Sequence, residues 1–115
     1  MKNEINTCNN PLEKNQYQQI YARETTVIDF RVVVKNNNIE LRWEVLPTTN
    51  TFYFEVFQSS DNIDFNIAGA RAYMNGNLQY HFIDNNPYLG SNYYKIKFVD
   101  NNGRFGFSKI ISINF

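Results

Sequence analysis

The feature that most constrains this fold is a strict alternation of apolar and charged residues over residues 39–45. Successive side chains of a β-strand point to opposite sides, so such alternation predicts a strand with one buried face and one wet face. The predicted buried face carries Ile39, Leu41, Trp43 and Val45, and the wet face carries Glu40, Arg42 and Glu44. The only tryptophan of the chain therefore belongs to its core.

Similar runs recur along the chain from Thr26 onward. β-Branched and aromatic stretches alternate with Asn, Asp, Gly or Pro clusters at roughly the 8 to 12 residue spacing of an antiparallel sandwich. Hairpin turns are expected at Asn36-Asn37-Asn38 and at Asn101-Asn102-Gly103, whose Asn-Gly pair favours a tight turn. The sequence thus predicts an all-β domain of seven strands, at residues 26–35, 39–46, 51–59, 64–72, 78–83, 91–100 and 104–114.

The first 25 residues have a different character, with many Asn and Gln residues. Asn10 can cap a helix that Pro11 opens. The apolar positions that follow form an incomplete stripe, made of Leu12, Tyr17, Ile20 and Tyr21. Isolated helices of this length are marginal without packing, so residues 1–25 are expected to be either a short helix or a disordered leader to the domain at 26–115.

Charge and hydropathy exclude several classes of partner. Lys plus Arg equals Asp plus Glu at 11 each, so the formal net charge is 0 and no global field attracts nucleic acid. No run approaches the roughly 18 apolar residues that a membrane helix needs. Cys8 is the single cysteine and cannot form an intramolecular disulfide. We expect neither a nucleic-acid partner nor an integral membrane segment, and a fold held by packing alone.

Residue types that carry catalysis or bind metal are sparse. His81 is the only histidine, so no Ser-His or Cys-His motif is present. The aspartates at predicted turns match only part of a calcium loop and instead suit the capping of backbone amides, at Asp61, Asp64, Asp84 and Asp100. No phosphate-binding or nucleophile motif is found. We predict no catalytic residue, no cofactor and no metal, and hence no enzyme.

Aromatic residues are the better indication of function. Rings outside the core can stack on sugars or anchor protein partners. The alternative is that the leader or a neighbouring domain covers them. The candidate interaction surface combines the leader's apolar residues with rings that alternation or loop position places away from the core: Tyr17, Ile20, Tyr21, Tyr53, Phe57, Tyr73, Tyr88 and Tyr93.

Two stretches carry a family resemblance. Leu41-Arg42-Trp43 followed by Pro47 looks like the second strand of a fibronectin type III domain. Tyr80-x-Phe82-x-Asp84 and the segment Asn92-Tyr93-Tyr94-Lys95-Ile96-Lys97, with Gly103 beyond it, resemble the fibronectin type III-like domain of secreted Bacteroidota proteins. That domain often precedes the C-terminal sorting domain of type IX secretion. The chain departs from the family at Phe57-Gln58, where Glu-Arg is usual, and at Asp61-Asn62, where Asp-Gly is usual.

The resemblance implies a fibronectin type III/immunoglobulin-like sandwich in the cell envelope or secreted, although residues 1–10 hold no hydrophobic signal core. It favours a non-catalytic protein-interaction module or accessory subunit. The alternative is a carbohydrate-binding or spacer module of a larger secreted enzyme or adhesin. Tyr94 shares a face with Ile96 and Phe98, so its ring should be buried, with its hydroxyl bonded to backbone at the corner before the strand.

Overall fold

The computed structural model describes residues 26–47 and 49–115. Within these ranges the chain forms β-strands and no helix. The strands are β1 (Val27–Lys35), β2 (Asn38–Val45), β3 (Thr51–Ser59), β4 (Asn66–Ala72), β5 (Gln79–Asp84), β6 (Ser91–Asp100), β7 (Phe105–Phe107) and β8 (Ile111–Asn114). The predicted leader, with Tyr17, Ile20 and Tyr21, lies outside the described residues, so its structure stays a prediction.

The strands form two antiparallel sheets that face each other. The first sheet has the order β1-β2-β5, and the second has the order β4-β3-β6-β7, with β8 also paired to β6. Trp43 pairs with Tyr80 in the first sheet, and Phe54 pairs with Phe98 in the second. The side chains between the sheets are buried, which confirms the predicted all-β antiparallel sandwich.

The strand count differs from the prediction, because the expected last strand at 104–114 is two strands. Both lie on the same side of β6, with Phe107 opposite Lys97 and Ile111 opposite Tyr94. Relative to β6, the segment that joins β7 to β8 therefore contains one extra residue, as in a β-bulge. Ser108 causes the break, since its Oγ accepts the Ile96 N–H at 2.8 Å and replaces a backbone carbonyl there. In the part of the chain that the structure describes, eight strands thus fill seven strand positions.

Trp43 is at the centre of the core. Its ring lies 5.6 Å from that of Phe54, edge to face, and is stacked 6.1 Å from that of Tyr80. The alternation predicted for β2 is confirmed, since Trp43 is 1% exposed while Arg42 is exposed. Glu40 is an exception on the outer face, where it is only 9% exposed. Its carboxylate lies 3.0 Å from the Arg42 guanidinium, so an ion pair covers it.

Several turn predictions are confirmed by backbone geometry and hydrogen bonds. Asn36 and Asn37 take left-handed φ values of 53° and 66° between β1 and β2. The carboxylates of Asp61, Asp84 and Asp100 each accept a backbone N–H from two residues farther along the chain. These aspartates therefore stabilise turns, as their sequence positions indicate.

The connections between strands gather at two ends of the sandwich. Ser59 pairs with Tyr93, so the β3–β4 and β5–β6 connections share one end with the β1–β2 hairpin. Thr51 pairs with Asp100, so the β2–β3, β4–β5 and β6–β7 connections share the other end. Each end is therefore built from three connections that are distant in sequence.

Candidate functional site

Of the interaction residues predicted from sequence, the five that the structure describes lie in three separate places. Phe57 and Tyr93 project from the outer face of the second sheet, and both are half-buried. Tyr53 and Tyr73 lie near the end formed by the β2–β3 and β4–β5 connections. The prediction that Tyr73 lies away from the core is wrong, because its ring packs against the core 6.2 Å from that of Tyr80. Tyr88 lies at the opposite end, where its backbone N–H bonds to Asn92 Oδ1 at 2.9 Å. The predicted set is thus not one surface.

Six side chains form a cluster on the outer side of the second sheet. We call it the aromatic face, and it comprises Phe57, Phe65, Lys95, Lys97, Phe105 and Phe107. Strand alternation explains it, because β6 turns Tyr94 and Ile96 inward and both lysines outward. In β7, Phe105 and Phe107 point outward on either side of the buried Gly106.

Each lysine of the aromatic face lies over one or more rings. Lys95 Nζ is 4.3 Å from the ring centroids of Phe65 and Phe107 and 5.9 Å from that of Phe57. Lys97 Nζ is 4.5 Å from the Phe105 centroid. Such contacts contribute about 0.5–1 kcal/mol each at exposed sites. The rings and the ammonium groups therefore hold one another in a defined geometry.

The two lysines differ in their electrostatics. Lys97 Nζ is 3.8 Å from the Glu55 carboxylate, an ion pair in which both side chains are about one quarter exposed or less. Burial among the rings lowers the pKa of Lys95. Within residues 26–47 and 49–115, no carboxylate lies within 4.0 Å of the Lys95 ammonium. Lys95 is thus a partly desolvated cation that an external carboxylate can pair with.

Sequence reasoning missed most of this cluster. Phe57 was predicted as a surface ring, but Phe65, Phe105 and Phe107 were not. The signal lay in two alternating pairs, Phe105-x-Phe107 and Lys95-x-Lys97, which the Asn-Gly turn places on adjacent strands with Phe107 opposite Lys97. Combining the hairpin prediction with the alternation would have placed these side chains on one face.

A second feature is a cleft of about 380 Å³ at the end where the β2–β3, β4–β5 and β6–β7 connections meet. Among residues 26–47 and 49–115, its lining includes no charged side chain and consists of Pro47, Thr49, Asn50, Thr51, Phe52, Tyr73, Asn75 and Asn101. We call it the loop cleft. Asn101 Nδ2 donates to Asn50 Oδ1 at 2.8 Å, and the Tyr73 N–H donates to the Phe52 carbonyl at 3.0 Å. The first bond joins the β6–β7 connection to the β2–β3 connection, and the second joins the β4–β5 connection to strand β3.

A buried polar network lies at the opposite end of the sandwich. The Tyr94 hydroxyl donates to Asp84 Oδ2 at 2.6 Å, and Gln58 Nε2 donates to the same oxygen at 2.6 Å. The ring is buried as predicted, but its partner is a carboxylate and not backbone. Burial, reinforced by the Asp84 carboxylate, raises the pKa of Tyr94. Asn92 bonds to both the N–H and the carbonyl of Tyr88, so the network also fixes the β5–β6 connection.

Neither a metal-binding cluster nor a membrane-spanning helix occurs within residues 26–47 and 49–115. Across the described ranges, no three His, Cys, Asp or Glu side chains converge in a way that would hold a metal ion. His81 is exposed on the outer face of β5. The same part of the chain forms no helix with the length and apolarity to cross a bilayer.

Comparison with known proteins identifies the fold but not a family. No family model matches the chain, and no curated protein matches it. Pectate lyase Pel3 from Pectobacterium carotovorum is similar over 77% of this chain and 26% of its own, with a TM-score of 0.60 and 16% identity. Pectate lyase PelI from Erwinia chrysanthemi, solved in complex with tetragalacturonic acid, is similar over 76% and 28%, with a TM-score of 0.59 and 15% identity.

A β-1,2-glucanase from Parabacteroides distasonis is similar over 78% of this chain, with a TM-score of 0.57 and 20% identity. The chain covers only 13% of that enzyme, and 26% and 28% of the two pectate lyases. At these identities the similarity establishes a shared sandwich fold.

Proposed function

We propose that this chain is a non-catalytic interaction module that docks on a protein partner through the aromatic face. The observation that carries this proposal is the geometry around Lys95, whose ammonium lies 4.3 Å from the centroids of two rings and has no ion pair among the described residues. Aromatic anchors dominate the energetics of protein interfaces. Because this cluster is already ordered, binding loses little side-chain entropy.

The orientation of the rings favours a protein over a sugar at this face. A sugar stacks on the flat side of a ring, but Lys95 occupies a flat side of Phe65 and of Phe107. A protein surface can instead contact the ring edges and offer a carboxylate to Lys95. That pairing would be partly desolvated, where charge-assisted hydrogen bonds are strong.

We further propose that the module is of the fibronectin type III-like class and acts in the cell envelope or after secretion. The partition into a sheet of three strands and a sheet of four strand positions supports this class. The resemblance at residues 92–97 supports it independently. The location and the link to type IX secretion in Bacteroidota rest on that resemblance alone.

The proposal is tested by affinity purification of the tagged full chain from its host's envelope and culture fluid. The wild type should retain a partner in stoichiometric amount, and Phe107→Ala should lose it. Ile83→Ala is the matched control, because Ile83 is 43% exposed on the outer face of the other sheet. Equal retention by all three proteins, or no retained protein, would contradict the proposal.

A second candidate function is a carbohydrate-binding or spacer module of a larger secreted enzyme or adhesin. The comparisons favour it, because the matched proteins are named as pectate lyases and a glucanase, and the chain covers 13% to 28% of each. A module of a larger polysaccharide-active protein would give such partial matches. Recovery of a longer parent chain from the culture fluid, by intact mass, would support this function. A 13.6 kDa product that leaves glycan arrays unlabelled would exclude it.

A further inference from the structure

We infer that the loop cleft binds an uncharged saccharide, with a sugar ring against Phe52 and its hydroxyls on the surrounding amides. This inference deepens the second candidate function, on which it rests, by naming the site and the class of ligand. It is independent of protein docking, because the cleft is at one end of the sandwich and the aromatic face is on the outer side of one sheet.

The lining of the loop cleft has both of the chemical features that a sugar ring requires. The Phe52 side chain is 58% exposed, so its ring offers an apolar surface to solvent. The C–H groups on one side of a pyranose carry slight positive charge, which suits the negative face of an aromatic ring. The amide groups come from three different connections: Asn50, Asn75 and Asn101. Each amide can both donate and accept hydrogen bonds, as vicinal hydroxyls require.

Free hydrogen-bonding capacity remains at the cleft. Asn101 Nδ2 donates to the backbone carbonyl of Asn50 at 3.3 Å and to Asn50 Oδ1 at 2.8 Å. The side-chain oxygen of Asn101, Oδ1, therefore stays available to a ligand. The Asn75 amide has no hydrogen-bond partner within residues 26–47 and 49–115. A ligand would therefore meet polar atoms with unused hydrogen-bonding capacity, and the bonds between Asn50 and Asn101 hold one wall of the cleft.

The absence of charge from the lining indicates a neutral sugar. Recognition of a uronate or sulfate group would require an Arg or Lys positioned for a charge-assisted bond. The charged residues nearest to Asn101 along the chain, Asp100 and Arg104, pair with each other. Arg104 Nε donates to Asp100 Oδ2 at 3.0 Å, and Asp100 is 4% exposed. An extended peptide is also disfavoured, because Asn50 and Asn101 join across the cleft instead of presenting an unpaired strand edge.

The test is a titration of the full ¹⁵N-labelled chain with neutral tetrasaccharides of glucose, xylose and mannose, followed by two-dimensional amide spectra. A member of this panel should shift the amides of residues 49–52, 73–75 and 101, with a dissociation constant near or below about 1 mM. Tetragalacturonate should bind at least tenfold more weakly. Unshifted spectra throughout the neutral panel, or tighter binding of the charged sugar, would overturn the inference.

Variants separate cleft binding from other causes of shifts. Phe52→Ala should weaken binding at least tenfold, and Asn75→Ala severalfold. Both variants should still fold, because neither side chain belongs to the buried core. Leu89→Ala is the control, since Leu89 is 89% exposed at the opposite end of the sandwich. Unchanged affinity in Phe52→Ala would overturn the inference. Shifts confined to residues 95, 97, 105 and 107 would also overturn it, but would leave docking at the aromatic face intact.

Discussion

Replacing Tyr94 by phenylalanine removes one hydroxyl from the buried network and leaves the ring in place. The hydroxyl donates to Asp84 Oδ2 at 2.6 Å in a site where Tyr94 is 0% exposed and Asp84 is 7% exposed. A hydrogen bond to a charged group contributes about 1.5–3 kcal/mol, compared with about 1 kcal/mol for a neutral backbone acceptor. Asp84 keeps the bonds from Gln58 and Asn86, so we expect a loss of about 2 kcal/mol in the free energy of unfolding.

Urea denaturation followed by the fluorescence of Trp43 measures this loss, because Trp43 is buried and becomes exposed on unfolding. Tyr93→Phe is the matched control. The Tyr93 ring lies on the outer face, and its hydroxyl has no described hydrogen-bond partner, so its removal should change stability by less than about 0.5 kcal/mol. Equal denaturation midpoints for Tyr94→Phe and Tyr93→Phe would refute the role given to the network.

The remaining predictions concern pH and packing. Burial raises the pKa of Tyr94, so above about pH 10 the unfolded chain loses the hydroxyl proton that the folded chain keeps. The free energy of unfolding should therefore fall with rising pH more steeply in the wild type than in Tyr94→Phe, by about 1.4 kcal/mol per pH unit. Gly69→Ala should cost about 1–3 kcal/mol in urea, since a Cβ would overlap the Phe82 ring, and the same substitution should cost much less when it is made in a Phe82→Ala background. Trp43→Ala should cost about 3–5 kcal/mol, a large part of the stability of an ordinary domain, so the midpoint of thermal unfolding should fall sharply.

Much of the fold could be predicted from the sequence, because local pattern and tertiary structure agree in most strands. β2 alternates so strictly that the pattern of residue types alone identifies its buried face, including Trp43. The Asn-Gly turn fixed the pairing of β6 with β7. The break between β7 and β8 was missed because Ser108 looks like an ordinary strand residue, and only its bond to the Ile96 N–H reveals the bulge.

The candidate sites were harder to predict, since they depend on distances between segments far apart in sequence. The aromatic face brings Phe57 and Phe65 together with Lys95 and Phe107, and this grouping requires the register of three strands. The loop cleft joins Asn50 to Asn101 across 51 positions of sequence. Asparagines at turns are ordinarily explained by turn geometry alone, so their shared lining of a cleft has no signal in the sequence.

The central claim, that the aromatic face docks on a protein, is tested most directly by site-specific photocrosslinking. A photoreactive amino acid is placed at position 107 or at position 83 of the full chain, and each protein is irradiated in its host. Position 107 should yield one defined protein adduct, which the added substitution Lys95→Glu removes, and position 83 should yield none. No adduct at either position, or the same adducts at both, would contradict the claim.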